Sequence, residues 1–269
     1  MNLRQHVRRL TVLVGAAALA LTLVPATGPP PALADHAEPA PGPVNAQSTF
    51  KWGRPQWQDD FEAAKTKNFW RIAGRGNVQN QHGMLTLNTA TSGSTTATLE
   101  RAGHATGRWE IRLRSRRYST RAANYQVMTE LIPASTRRQH CGARTVALER
   151  YRLGGRRADF SIRSLPDRQF SATKGLNVAD DRWHTFAVEV TPKRISWFVD
   201  AHVLVSERRP KALSGVPFTV RFTMAARPGA RMNQSRMQMD WLRYFNLDRP
   251  NQRSVSAPRA ERGTYAGAC

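Results

Sequence analysis

The sequence has few acidic residues, few lysines and two cysteines. Against 41 Lys and Arg stand 19 Asp and Glu, which gives a formal net charge of +22 over 269 residues. Two cysteines exclude a disulfide-dense scaffold, and no His, Cys and Asp residues have the spacing of a transition-metal site. Because 40% of the residues are apolar, the bulk of the chain is neither disordered nor collagen-like, and one large globular domain is expected.

The sequence has one long apolar run, and it lies close to the N-terminus. A basic start precedes apolar residues 10–26, and small residues lead up to Ala34. This order is typical of a secretory signal over residues 1–34. A transmembrane anchor needs about 20 apolar residues, and prolines end this run too early. We therefore predict a secreted or cell-envelope protein without a membrane span after cleavage, and Arg8-Arg9 leaves the twin-arginine and general export routes both open.

Three segments follow the signal. Residues 35–47 are rich in Pro and Ala and form a predicted linker, residues 48–247 form a predicted domain, and residues 248–269 form a polar tail. Within the domain, short segments with period-two alternation, such as 185–190, are separated by Gly, Pro, Asn and Asp. This pattern predicts an all-β sandwich with roughly a dozen antiparallel strands.

The two cysteines are candidates for a disulfide in an exported protein. Joining Cys141 to Cys269 would close a loop of about 128 residues, which chain entropy values at about 4–5 kcal/mol before strain. A free thiol or a bond between chains is the alternative.

Residues 183–200 carry the most specific resemblance to a known family. The string WHTFAVEVTPKRISWFVD is a strand, a turn, a second strand and another turn. It closely resembles the W-H-T-Y-x-x-E-W-T-P-x-x-I-x-W-Y-V-D-G segment of glycoside hydrolase family 16. Residues 59–61, 107–112 and 239–244 resemble that family's D-E-F, G-R-F-E-x-R and V-D-Y-V-R-V-Y segments in the same order. The resemblance spans about residues 55–246 and implies a concanavalin A-like jelly-roll sandwich of two antiparallel sheets.

The same resemblance implies that the hydrolytic motif is degenerate. The family's retaining chemistry uses a nucleophile Glu, a helper Asp and an acid/base Glu on one strand, as E-x-D-x-E or, with a bulge, E-x-D-x-x-E. In the matching strand, Thr145 occupies the nucleophile position and Ala147 the helper position in both registers. The acid/base position falls on Glu149 without a bulge and on Arg150 with one.

An active glycoside hydrolase acting on a β-glucan-like polysaccharide is the alternative function. Glu149 would then be the acid/base, and Glu130 on the preceding predicted strand would be its partner in an inverting pair about 6.5–9.5 Å apart. An ion pair with a neighbouring arginine is the structural alternative for Glu149. His184 is better interpreted as a turn-stabilising residue than as a catalytic one.

The arginines are concentrated around the degenerate motif. Between Arg101 and Arg182 there are 18 basic and 7 acidic residues. Because Arg forks pair with carboxylates and phosphates, this segment predicts a cleft that holds an anionic polymer, while a generally basic surface is the alternative. The predicted carbohydrate-binding side chains are Tyr125, Trp197, Arg112, Arg114, Arg144 and Arg152.

Together, these patterns predict an exported, monomeric protein that binds an acidic or cell-envelope polysaccharide and has lost hydrolysis. No cofactor or metal site is predicted, and the structural calcium that the resemblance allows has no assignable ligands. We expect no nucleic-acid partner, because no DNA- or RNA-binding motif accompanies the charge.

Overall fold

The described part of the chain folds into two stacked β-sheets with very little helix. The computed structural model describes residues 44–134, 143–164, 168–179 and 181–257, and for residues 143–144, 164, 168–171 and 211 it describes the backbone alone. The strands are β1 Trp57–Asp59, β2 Trp70–Gly74, β3 Gly76–Gln81, β4 Met84–Thr89, β5 Thr95–Leu99, β6 Gly107–Arg117, β7 Gln126–Pro133, β8 Ala143–Arg152, β9 Arg157–Ser164, β10 Arg168–Gly175, β11 His184–Val190, β12 Ile195–Val199, β13 His202–Glu207, β14 Phe218–Ala225 and β15 Ser235–Phe245. The helices are the single turns α1 Ala46–Thr49 and α2 Gln252–Val255, and Pro210–Ala212 form a 3-10 turn.

All strand pairs are antiparallel. The front sheet has seven strands in the order β10-β9-β8-β7-β14-β5-β2. The back sheet has eight, in the order β13-β12-β11-β6-β15-β4-β3, with β1 also paired to β15. The predicted all-β sandwich of two antiparallel sheets is confirmed. No helix in the described part of the chain is long and apolar enough to cross a membrane.

Alternate residues of the two sheets meet in one apolar core. In β14, for example, Phe218, Val220, Phe222 and Met224 are buried in this core, while Arg221 lies on the opposite face of the strand. Each large apolar side chain buried in this way contributes about 1.5–3 kcal/mol to the folded state.

The hairpin predicted within residues 183–200 is present. β11 pairs antiparallel with β12, and Val190 lies opposite Ile195. The Thr191 hydroxyl accepts hydrogen bonds from the backbone N–H groups of Lys193 and Arg194, at 3.2 and 2.9 Å, which closes the turn. The alternation of apolar residues and the turn residues therefore both predict the hairpin that the structure contains.

The segments that flank residues 48–247 pack on the outer face of the back sheet. The backbone N–H groups of Ala46 and Gln47 donate to the buried Glu110 carboxylate of β6. The Ser254 hydroxyl of α2 donates to Glu189 at 2.6 Å. The end of the predicted linker and the start of the predicted tail are therefore part of the folded structure. The predicted signal peptide, Cys141 and Cys269 lie outside the described residues.

Candidate functional site

Strand β8, which carries the degenerate motif, contains a β-bulge. On β7, Glu130 lies opposite Ala147, but the adjacent Thr129 lies opposite Glu149. Leu148 is therefore an extra residue on β8. A bulge of this kind shifts the faces of all later residues relative to the partner strand.

The burial of β8 shows the same shift. Its core residues are spaced by two, then three, then two positions; they are Val146, Leu148, Tyr151 and Leu153. The outward residues of β8 are Thr145, Ala147, Arg150 and Arg152. We call the outer surface of the front sheet, formed by these residues and their cross-strand neighbours Glu130, Met128, Asp159 and Ser161, the motif face. Arg150, and not Glu149, therefore lies on the motif face.

Glu149 faces the interior between the two sheets. The side chain is fully buried, and neither carboxylate oxygen has a hydrogen-bond partner among the described residues. Burial raises the pKa of Glu149 well above its usual range. Thr129, which lies beside the carboxyl group without forming a hydrogen bond of normal geometry, opposes this rise, and the Glu130 carboxylate adds to it. Burial therefore favours the protonated form of Glu149, and its carboxyl group does not reach the motif face.

Glu130 is on the motif face and is already paired. Its carboxylate accepts a hydrogen bond from the Arg221 guanidinium at 2.9 Å, and its side chain is 7% exposed. Because Glu149 is on the other side of the sheet, the predicted inverting pair of Glu130 and Glu149 is wrong: both carboxyl groups must flank the same sugar.

Asp159 is a second outward carboxylate, which the sequence analysis missed. It lies on β9 opposite Arg150, and the Thr173 hydroxyl donates to it at 2.8 Å. Strand β8 lies between β9 and β7, so the backbones that carry Asp159 and Glu130 are about 10 Å apart. Arg150 lies between these two carboxylates. The signal that identifies it is the alternation of residues 157–164, in which Ala158, Phe160 and Ile162 are the core residues.

Arg112 and Arg114 do not line the motif face. Both belong to β6 in the back sheet, where Arg112 binds Asp240 at 3.0 Å. Their guanidinium groups lie over the Trp183 ring, 4.8 and 4.5 Å from its centre. The prediction that they bind carbohydrate in the cleft is wrong, because alternation shows that two residues share a face but not which sheet carries it.

Tyr125 and Trp197 are core residues. Both are 0% exposed, so neither ring offers a face to a sugar. The Tyr125 hydroxyl donates to the backbone oxygens of Ala90 and Gly93. The indole N–H of Trp197 donates to the backbone oxygen of Ala147 at 2.9 Å and thereby supports β8 from inside. The prediction that they bind carbohydrate is wrong.

Two of the predicted motif arginines do face outward. Arg152 is exposed at the end of β8, and Arg150 is partly buried with an Nε atom that has no hydrogen-bond partner in the described structure. The side chain of Arg144 lies outside the described residues. The motif face therefore presents cations on β8 itself and carboxylates on the two neighbouring strands.

His184 stabilises a turn, as its position at a strand entrance suggested. Its Nδ1 and Nε2 atoms lie 2.8 Å from the Asp200 carboxylate and 2.9 Å from the backbone oxygen of Asn177. Burial lowers the pKa of His184, but the hydrogen bonds to Asp200 and Asn177 outweigh this effect and raise it. Because both ring nitrogens face acceptors, the doubly protonated form fits this site.

Known structures share this architecture at low sequence identity. A laminarinase from Rhodothermus marinus matches with a TM-score of 0.58 and 14% identity over 72% of this chain and 97% of its own. SCLam, a non-specific endo-β-1,3(4)-glucanase from family GH16, matches with a TM-score of 0.58 and 14% identity over 72% and 94%. The chain has the jelly-roll fold of family 16. No protein-family profile and no curated protein sequence matches the chain.

One further structure with this fold is described as a pseudo β-1,3-glucanase. The pseudo β-1,3-glucanase of Mycobacterium tuberculosis, an immunostimulatory antigen, matches with a TM-score of 0.57 and 15% identity. The match covers 72% of this chain and 99% of that one. The fold that the sequence resemblance implied is thus confirmed, and the chemistry of this chain is decided by its own side chains.

Proposed function

We propose that this chain is a carbohydrate-binding protein that has lost the hydrolytic machinery of the fold it shares, and that it binds a polysaccharide with acidic groups on the motif face. The observation that carries the proposal is the bulge in β8. It turns Glu149 into the interior and presents Arg150 where an acid/base carboxylate is required.

The side chains of the motif face support binding without turnover. A retaining mechanism needs a nucleophile and an acid/base about 5–5.5 Å apart, and Thr145 and Arg150 supply neither carboxylate. The nearby carboxylate of Glu130 is neutralised by Arg221. Guanidinium groups suit the carboxylates or phosphates of an acidic glycan, because their planar forks form paired hydrogen bonds.

We also propose that the protein acts outside the cytoplasm, after cleavage behind Ala34. The support is the order of charge, apolar run and small residues at the N-terminus. An exported protein with this charge meets polysaccharides directly.

The binding proposal is tested by affinity electrophoresis of the mature protein through gels that contain polygalacturonate, an acidic polymer, or laminarin, a neutral one. Arg150→Gln/Arg152→Gln should weaken retention by polygalacturonate several-fold, and Arg54→Gln/Lys65→Gln, which removes the same charge elsewhere, should change it little. Equal retention by both polymers, unchanged in the motif-face variant, would contradict the proposal.

A further inference from the structure

Four connections that leave one end of the sandwich lie side by side. They are the connections β6–β7, β8–β9, β10–β11 and β14–β15. Strand register brings them together: Gln126 pairs with both Arg152 and Ala225, and Arg117 pairs with Ser235. This end adjoins the motif face at Arg152, the last residue of β8, while Thr145, Ala147 and Arg150 lie further along that strand.

This end carries exposed arginines that have no counter-charge. None of them has an ion pair or a side-chain hydrogen bond within the described part of the chain; they are Arg116, Arg121, Arg156, Arg182, Arg227 and Arg231. We call this set the basic end. Among the described residues of the four connections the one acid is Asp181, and Arg114 and Arg236 of the back sheet bind it. The positive charge is therefore uncompensated and directed to solvent.

The basic end is grooved. A cavity of about 640 Å³ lies between residues 91–94 and 226–231, and both Arg227 and Arg231 line it. A second cavity of about 330 Å³ is lined by Ser115, Arg116, Gly154 and Asp181, among others. Grooves beside unpaired guanidinium groups fit a flexible anionic chain, because such a chain brings successive charges to separate cations.

We propose that the basic end binds a linear anionic polysaccharide and is a second binding surface of this protein. Within the four connections Tyr118, which is 54% exposed, is the one exposed large apolar side chain of the described residues. A surface that inserts into a membrane needs a larger apolar face. Sequence-independent binders of single-stranded nucleic acid use several stacking rings, and duplex readers insert a helix or a ribbon. The described basic end has neither.

This surface goes beyond the function proposed for the motif face and does not depend on it. Its test compares two triple variants of the mature chain that remove the same charge. Arg121→Gln/Arg227→Gln/Arg231→Gln changes the basic end, and Arg54→Gln/Lys65→Gln/Lys193→Gln changes exposed residues elsewhere. All six side chains are exposed, so unfolding midpoints should stay close to that of the wild type.

The measurement is the dissociation constant for polygalacturonate at low salt. Arg150→Gln/Arg152→Gln is measured in parallel, so that the contribution of the motif face is determined separately. The basic-end triple should bind about tenfold more weakly, the control triple less than about twofold, and the difference should vanish at high salt. Equal losses in both triples would overturn the proposal, because net charge alone would then explain binding. Binding of single-stranded DNA or phosphatidylglycerol vesicles without binding of polygalacturonate would overturn it as well.

Discussion

At the scale of single residues, the protonation of Glu149 depends on its burial. It is enclosed between the sheets without a hydrogen-bond partner among the described residues, which favours the neutral carboxyl group. The unfolded chain, in contrast, exposes this carboxyl group to water, where it ionises in its usual range. The protonation of Glu149 is therefore linked to folding.

Glu149→Gln should change the pH dependence of stability. Because the folded pKa of Glu149 is raised, the native state holds a proton that the unfolded state releases, and stability falls as pH rises from about 4.5 toward the folded pKa, by up to about 1.4 kcal/mol per pH unit. Glutamine has no proton to lose, so the variant should gain stability relative to the wild type at pH 8 compared with pH 4.

Urea unfolding at both pH values measures this effect, with Glu62→Gln as a control at an exposed site. In both proteins, the wild type and Glu149→Gln, stability also falls with rising pH because of Glu110, whose pKa burial raises to about 7. The effect of Glu149 is therefore the difference between the two proteins. A constant difference in stability between Glu149→Gln and the wild type at pH 4 and pH 8 would show that Glu149 is charged or solvated in the fold.

At the scale of elements, the residues before β1 act as a structural cover of the back sheet. Trp52 is 2% exposed and meets Phe198 and Phe245 at 5.4 and 5.5 Å between ring centres. The Arg108 guanidinium lies over the same indole ring, at 5.2 Å. This small aromatic cluster holds the N-terminal segment on the outer face of β12 and β15.

Trp52→Ala should destabilise the protein by about 3–5 kcal/mol, because it removes a buried aromatic side chain and opens a cavity over Phe198 and Phe245. Denaturant unfolding checks the value. Val44→Ala, at a position 48% exposed, should cost less than about 0.5 kcal/mol. A similarly small loss for Trp52→Ala would mean that this segment does not stabilise the sheet.

Some strands can be placed from one short segment of sequence, and others only from pairing with distant segments. The β11–β12 hairpin was predictable because alternation and a Thr-Pro turn specify it within one segment. The family motif alone does not determine the register of β8, although the spacing of the apolar residues Val146, Leu148, Tyr151 and Leu153 reflects the bulge. The location of Arg112 and Arg114 was mispredicted, because sheet assignment depends on pairing between strands that are distant in sequence.

At the scale of the whole molecule, arginines of the segment around the motif reach both the motif face and the basic end. The sequence placed most of the excess around the motif. The structure keeps Arg150 and Arg152 on the motif face and locates Arg116, Arg121 and Arg182 at the basic end. Arg116 is near the end of β6, and Arg121 and Arg182 are in connections, so part of the excess between Arg101 and Arg182 lies away from the motif face.

The proposed export predicts two properties of the mature protein. Its N-terminus should be Asp35, as judged by N-terminal sequencing, because the signal ends in small residues up to Ala34. If Cys141 and Cys269 pair, reduction should raise the intact mass by the mass of about two hydrogen atoms. Secretion with an uncleaved N-terminus would contradict the signal, and an unchanged monomer mass would contradict the disulfide.

The release of reducing ends from laminarin and polygalacturonate tests the central claim most directly. It is measured for the mature protein and for Glu130→Gln, Asp159→Asn and Glu149→Gln, alongside retention by the same polymers. Because Arg150 lies on the motif face and Glu149 in the interior, the account predicts retention by polygalacturonate and no release above that of heat-denatured protein. Release by the wild type that any one of these substitutions abolishes would contradict it.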